Sequence, residues 1–173
     1  MSAYDPKAKA IETAYAGYRM RSRLEAKWAA FFDAERIKWD YECEGFELPS
    51  GRYLPDFWLP EWNSFVEVKP FPLVGRDLAR AIDLVKLSKR HLIQCDGTPD
   101  TTNYWMLEYR EDEPPRWMDF VWSWKNGSPY FCTHGMSLGH TVRVQYSKLG
   151  DFGGDEPQYK ESVKIARSMR FGD

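Results

Sequence analysis

Cysteine is scarce in this chain. The three present, Cys43, Cys95 and Cys132, are far apart and odd in number, which argues against a disulfide framework and fits a reducing compartment. No two of them have zinc spacing. Cys132-x-His134, with His140 after it, is the sole Cys/His proximity, too few ligands for a tetrahedral site. Long apolar runs are missing as well. No stretch approaches the roughly 18–20 residues of a membrane span, and Met1-Ser2-Ala3-Tyr4-Asp5 has no apolar run of signal-peptide type. A cytoplasmic protein with no membrane partner is expected. Nor does one sign of charge dominate: 24 basic side chains face 26 acidic ones, net −2. That weighs against coating a nucleic acid by bulk charge, but not against gripping one locally.

What the sequence has in quantity is aromatic side chains, 16% of residues within a hydrophobic share of 43%, enough to bury a core. A length of 173 residues suits one domain. Residues 5–36 read as helical, with Leu24, Trp28, Phe31 and Phe32 at the i, i+4, i+7, i+8 spacing of one buried face. The period then changes. Trp39, Tyr41 and Cys43 alternate with charged residues as in a half-buried strand. Pro49-Ser50-Gly51 signals a turn, Arg52 to Leu59 a second strand in which Pro55 implies an edge position, a bulge or a strand start, and Ser64 to Lys69 a third. Helical spacing returns over 76–90, and His91 to Cys95 reads as a short buried strand. Strand, helix and strand in that order predict a crossover between parallel strands. Tyr104 to Tyr109 reads as another strand, 111–154 as irregular β structure, and 156–170 as a helix. The expected fold is α/β, a mixed central sheet flanked by helices. Its core covers about residues 19–110, and a β-rich, irregular extension with a terminal helix covers about 111–173.

An acid, a spacer and a lysine occur three times: Asp5-Pro6-Lys7, Glu25-Ala26-Lys27 and Glu67-Val68-Lys69. Only the third sits in a strand, where residues i and i+2 share a face. Glu67 and Lys69 then point one way and Val66 and Val68 the other. Charges flanked by buried apolar residues are seldom kept unless paired or bound to metal. Asp56 lies eleven residues earlier on the preceding strand, so a short turn brings it near Glu67. Two close carboxylates repel unless a cation sits between them, and oxygen ligands suit Mg2+ or Mn2+. Such an ion polarises a phosphoryl oxygen and acidifies water, with Lys69 placed to orient or help deprotonate the water or to stabilise phosphate charge. The same spacing also fits a plain Glu67–Lys69 neighbour pair with Asp56 in a turn.

The run Leu54-Pro55-Asp56-Phe57-Trp58-Leu59, a short turn and Phe65-Val66-Glu67-Val68-Lys69 resembles the motif of the PD-(D/E)XK nuclease superfamily. It is especially similar to phage junction-resolving endonuclease I proteins and TnsA-type nucleases. The resemblance covers about residues 20–96. It implies a restriction-endonuclease-like core, with Asp56 and Glu67 as ligands of Mg2+ or Mn2+ and Lys69 as the catalytic lysine. Such nucleases often carry a further acid on the preceding helix. Arg23-Leu24-Glu25-Ala26-Lys27-Trp28 is similar to that element, which puts Glu25 in the catalytic and metal set; a solvent-facing helix glutamate is the alternative. Glu42 and Glu44 read as solvent-facing strand residues.

Arg19, Arg21, Arg23 and Lys27 cluster beside Glu25 and are the expected nucleic-acid contacts, although each also fits a solvated helix face. Lys160, Lys164 and Arg167 form a basic stripe that reads better as the wet face of a docked helix. Trp58 and Trp62 border the motif, Trp58 more as core than as a base-stacking platform. The expectation is a metal-dependent deoxyribonuclease, an endonuclease on structured or branched DNA, with a homodimer left open. The compact size is compatible with a phage-encoded protein acting in the host cytoplasm. A nucleic-acid-binding or assembly protein on a nuclease-like fold, and an exonuclease trimming DNA ends, are the alternatives.

Overall fold

The computed structural model describes residues 10–100, 104–120, 124–125, 128–129 and 157–171. Cys132, His134 and His140 lie outside them.

Residues 10–22 do not form the helix that their spacing predicts. Two short strands, β1 (Thr13–Tyr15) and β2 (Tyr18–Met20), form an antiparallel hairpin with Tyr15 opposite Tyr18. The two turn residues, Ala16 and Gly17, both have positive φ, 49° and 85°. This is the handedness that matches strand twist and closes two-residue hairpins. The helix α1 (Arg23–Ala34) starts only after Ser22, whose hydroxyl accepts the Glu25 N–H as an N-cap. Residues 5–9 of the expected helix lie outside the described residues. Within α1 the expected face is buried: Trp28, Phe31 and Phe32 are in the core, with Leu24 packed against it.

Four more short strands follow, β3 (Asp40–Tyr41), β4 (Phe46–Leu48), β5 (Gly51–Tyr53) and β6 (Phe57–Leu59). The stretch expected as one strand from Arg52 to Leu59 is therefore two. It breaks at Leu54-Pro55-Asp56, because Pro55 has no N–H to give a ladder. β4 and β5 pair with each other around Pro49-Ser50. β6 enters the main sheet. Past a 3-10 turn at Pro60–Trp62 that closes on left-handed Asn63, β7 (Ser64–Lys69) crosses the centre, and α2 (Gly75–Ser88) carries the chain to β8 (His91–Asp96), parallel to β7. β9 (Tyr104–Glu108) and β10 (Arg116–Phe120) return antiparallel. The six-stranded order is β10-β9-β8-β7-β6-β3. Two further short strands, β11 (Trp124–Lys125) and β12 (Ser128–Pro129), pair with each other, and α3 (Pro157–Ser168) follows.

Helices cover both faces of this mixed sheet. Val66 and Val68 pack with α1 and with Tyr159, Val163 and Ala166 of α3. Phe65, on the opposite face, packs with Ala81, Leu84 and Val85 of α2. The alternation along β7 therefore sends Glu67 and Lys69 to the α2 side, as strand periodicity predicts. α3 lies directly against α1, with Phe31 and Tyr159 edge to face at 5.5 Å, so it closes the core that α1 begins. Trp62 is buried, and Trp58 stacks under the Arg90 guanidinium at 4.5 Å; both serve packing. No helix among the described residues is long and apolar enough to cross a membrane.

Candidate active site

Register explains why Asp56 meets Glu67. β6 and β7 pair Phe57 with Val66 and Trp58 with Phe65. Continuing that register by one residue brings Asp56, just outside β6, toward Glu67. Asp56 bends out of the ladder after Pro55, and its side chain replaces the missing backbone pair, with Oδ2 accepting the Val68 N–H at 2.7 Å. Its own carbonyl accepts the Glu42 N–H. Asp56 is 2% exposed and Glu67 3%. Burial, then the Glu67 charge, pushes the Asp56 carboxyl well above the usual range, as expected for two acids sharing a dry site.

Each carboxylate has a cation. Lys69 Nζ lies 2.5 Å from Glu67 Oε1. Burial alone would depress this ammonium, but Glu67 and Asp56 raise it on balance, so Lys69 holds its proton. Arg21 Nη2 reaches Asp56 Oδ1 at 3.1 Å, and its Nε pairs with Glu42. Glu42 is thus an Arg21 partner and not the solvent-facing strand residue expected. It has φ 46°, and strand β3 ends before it. Glu44 is exposed, as expected.

Glu25 also comes to this cluster, and the start of α1 explains how. Its Oε1 accepts the Ser22 hydroxyl at 2.7 Å, and its Oε2 accepts the Arg21 N–H at 3.1 Å and the Tyr41 hydroxyl at 2.6 Å. Ser22-x-x-Glu25 is a reciprocal helix cap, buried at the sheet edge. The charge of Glu25 acts on Asp56 in the same upward direction as that of Glu67, though less.

The four basic residues expected to contact nucleic acid separate. Arg21 joins the carboxylates. Arg19 extends from β2 into solvent, paired with Glu12. Arg23 opens α1. Lys27, two residues beyond Glu25 and so on another side of the helix, turns to α3 and reaches the Arg167 carbonyl at 3.4 Å. A strand followed by a helix scatters side chains that a single helix would have aligned.

Sequence reasoning did not single out Tyr53. Its hydroxyl donates to Glu67 Oε2 at 2.7 Å; burial, then Glu67, pushes the phenol well above its ordinary range, so it stays a donor. No local signal marks it, since β5 lies outside the main sheet. Tyr41 was legible only as an inward strand residue. Gln94 sits beside Glu67 in the parallel β7–β8 register and accepts the Leu73 N–H at 2.9 Å. It thereby holds the chain that leaves Lys69 for α2.

Arg21, Tyr53, Glu67, Lys69, Asp77 and Arg80 all line one open cleft of about 600 Å3. The β4–β5 hairpin forms one wall and the first turns of α2 the other. The hairpin is pinned to α2 by the Ser50 N–H, which donates to Asp83 at 3.0 Å.

The donor chemistry fits a small hard cation. Asp56 and Glu67 offer buried oxygens side by side, and Mg2+ is commonly held by one or two carboxylates with water and substrate phosphate completing its shell. Among the described residues no three His, Cys, Asp or Glu side chains converge as a ligand group. Comparison with protein-family models, with curated proteins and with solved structures finds no match for this chain.

Proposed function

We propose that this protein is a metal-dependent nuclease that hydrolyses phosphodiester bonds in DNA, on a restriction-endonuclease-like core. The observation that carries the reading is the buried pair of Asp56, just before β6, and Glu67 on β7, with Glu67 and Lys69 lining an open cleft. Asp56 and Glu67 would hold Mg2+ or Mn2+, which supplies polarisation of a phosphoryl oxygen and a lowered pKa for water.

The chain's own groups do the rest. The Lys69 ammonium donates hydrogen bonds to the attacking water or to phosphate oxygen and offsets the charge that builds there. Tyr53 fixes the Glu67 carboxylate from the hairpin side. Glu25 contributes its charge from the helix cap and holds the Arg21 backbone. The open mouth of the cleft suits a polymer, with an endonuclease on structured or branched DNA as the preferred substrate class.

The test is cleavage of supercoiled plasmid, linear duplex and four-way-junction DNA with Mg2+ or Mn2+. Nicking of closed circles supports the endonuclease reading, attack on linear DNA alone marks an end-trimming exonuclease, and no cleavage of any substrate refutes nuclease function. The ion pair between Arg21 and Asp56 favours a second reading: a nucleic-acid-binding protein whose carboxylates are neutralised by its own arginine and lysine. Binding without cleavage in every divalent metal selects it.

A further inference from the structure

The α2 wall of the cleft carries arginines that the site described above does not use. Gly51, in the β4–β5 turn, has φ 112°. A Cβ there would lie 3.2 Å from Arg76 Nη2 and 3.8 Å from Arg80 Nη2. The two guanidinium groups therefore converge on the one residue of the hairpin without a side chain, their Nη2 atoms no more than about 7 Å apart by those two distances. Like charges at that spacing repel. Their compensation is slight. Arg80 has Asp77 at 3.5 Å, while its Nε is buried with no hydrogen-bond acceptor among the described residues. The neighbouring Arg52 differs: it is already paired across the hairpin with Glu47 at 2.7 Å.

Nearby polar groups point the same way. α2 begins at Gly75 with no side-chain cap at Val74, which leaves its first N–H groups without an acceptor of that kind. The Ser50–Asp83 hydrogen bond fixes the two walls relative to each other. Arg80 shares the cleft with Glu67 and Lys69. A planar guanidinium with unused donors, beside a second one, is suited to a phosphate oxygen pair.

We infer that Arg80, with Arg76 beside it, binds a backbone phosphate flanking the one at Glu67 and Lys69, between the hairpin turn and the start of α2. The inference rests on the nuclease reading and gives that site its grip on the strand. Asp77 opposes the phosphate, and the Arg80–Asp77 contact opens as Arg80 turns to it. Phosphate contacts of this kind set position and register on the strand and carry no sequence information.

The test is fluorescence-anisotropy binding of labelled duplex and four-way-junction DNA across a salt series, with Ca2+ in place of Mg2+ and melting curves for every variant. Arg80→Gln is expected to weaken binding about tenfold and to lower the slope of log Kd against log salt by roughly 0.9, one phosphate contact. Arg80→Lys should restore the slope. Exposed Arg76→Gln, which removes no packing, should lower the slope in the same direction. Lys86→Gln, on the same helix away from the cleft, should change neither quantity. An unchanged slope in Arg80→Gln and Arg76→Gln, or an equal change in Lys86→Gln, overturns the inference while leaving the nuclease reading intact. Parent protein that neither binds nor cuts DNA overturns both.

Discussion

Glu25 offers the sharpest separation of structure from chemistry. Its carboxylate takes three donors: the Arg21 N–H, the Ser22 hydroxyl and the Tyr41 hydroxyl. Glu25→Ala leaves the Tyr41 hydroxyl without that acceptor in a buried setting, while the Arg21 N–H keeps the Tyr41 oxygen at 3.0 Å and Ser22 can turn to water. At about 1.5 kcal/mol for the donor to a charged group, with a further cost of about 1 kcal/mol for the weakened cap, the expected destabilisation is about 2–3 kcal/mol. For a chain of this length that is about 4–12 °C in Tm. Glu25→Gln behaves differently. One amide oxygen can still accept from Tyr41 and Arg21, and the amide nitrogen can donate to Ser22, so the cost falls to about 1 kcal/mol. Urea unfolding of the three proteins measures the difference. Glu25→Ala within about 1 kcal/mol of the parent, or Gln as costly as Ala, would refute the buried-cap reasoning. The same Gln variant then isolates the charge. The Glu25 charge raises the Asp56 carboxyl, which by itself opposes ionisation there, but it also adds to the negative field that would draw a divalent ion to the site. With the second effect dominant, Glu25→Gln is expected to lower cleavage at least about tenfold while remaining folded. Cleavage at the parent rate would reduce Glu25 to a helix cap.

Two other substitutions probe separate features. Tyr53→Phe removes only the hydroxyl bound to Glu67; it should cost about 1–2 kcal/mol in urea unfolding and lower kcat more than it raises KM, whereas unchanged stability and kcat would show that the hydroxyl does not hold Glu67. His91 Nδ1 accepts the Tyr109 N–H at 3.0 Å, and burial depresses its pKa below 6.5, with Glu108 opposing. The unfolded chain therefore binds a proton first as pH falls. Stability from His91 is complete above about 6.5 and is lost below it, down through the folded pKa. Between pH 7.5 and 5.5 the parent should lose up to about 1 kcal/mol more than His91→Gln; equal losses would show that His91 does not titrate differently on folding.

The central crossover was legible in the sequence. Ser64–Lys69 begins and ends where alternation and Pro70 indicate, and 76–90 and His91–Cys95 differ from the observed elements by a residue or two. These elements are long enough to show their period. β1, β2, β4 and β5 are three residues each, too short for period 2 to stand out against period 3.6. Gly17 was the available clue to the first hairpin, because a glycine of positive φ closes it. The acids of the site could be paired from spacing because adjacent antiparallel strands bring Asp56 and Glu67 together whatever surrounds them. Their partners could not. Tyr53 arrives on a separate hairpin, and Arg21 turns inward only because β2 ends at Met20 and α1 starts at Arg23. Lys27, two residues past Glu25 in the same helix, faces α3 instead of the cleft.

The measurement that bears most directly on the central claim is divalent-metal-dependent cleavage by the parent, Asp56→Ala and Lys69→Ala, side by side on plasmid and four-way-junction DNA, with folding of each checked by its melting curve. The account predicts cleavage by the parent with Mg2+ or Mn2+, and a loss of at least about a hundredfold in both folded variants. Cleavage at the parent rate by either folded variant would contradict it.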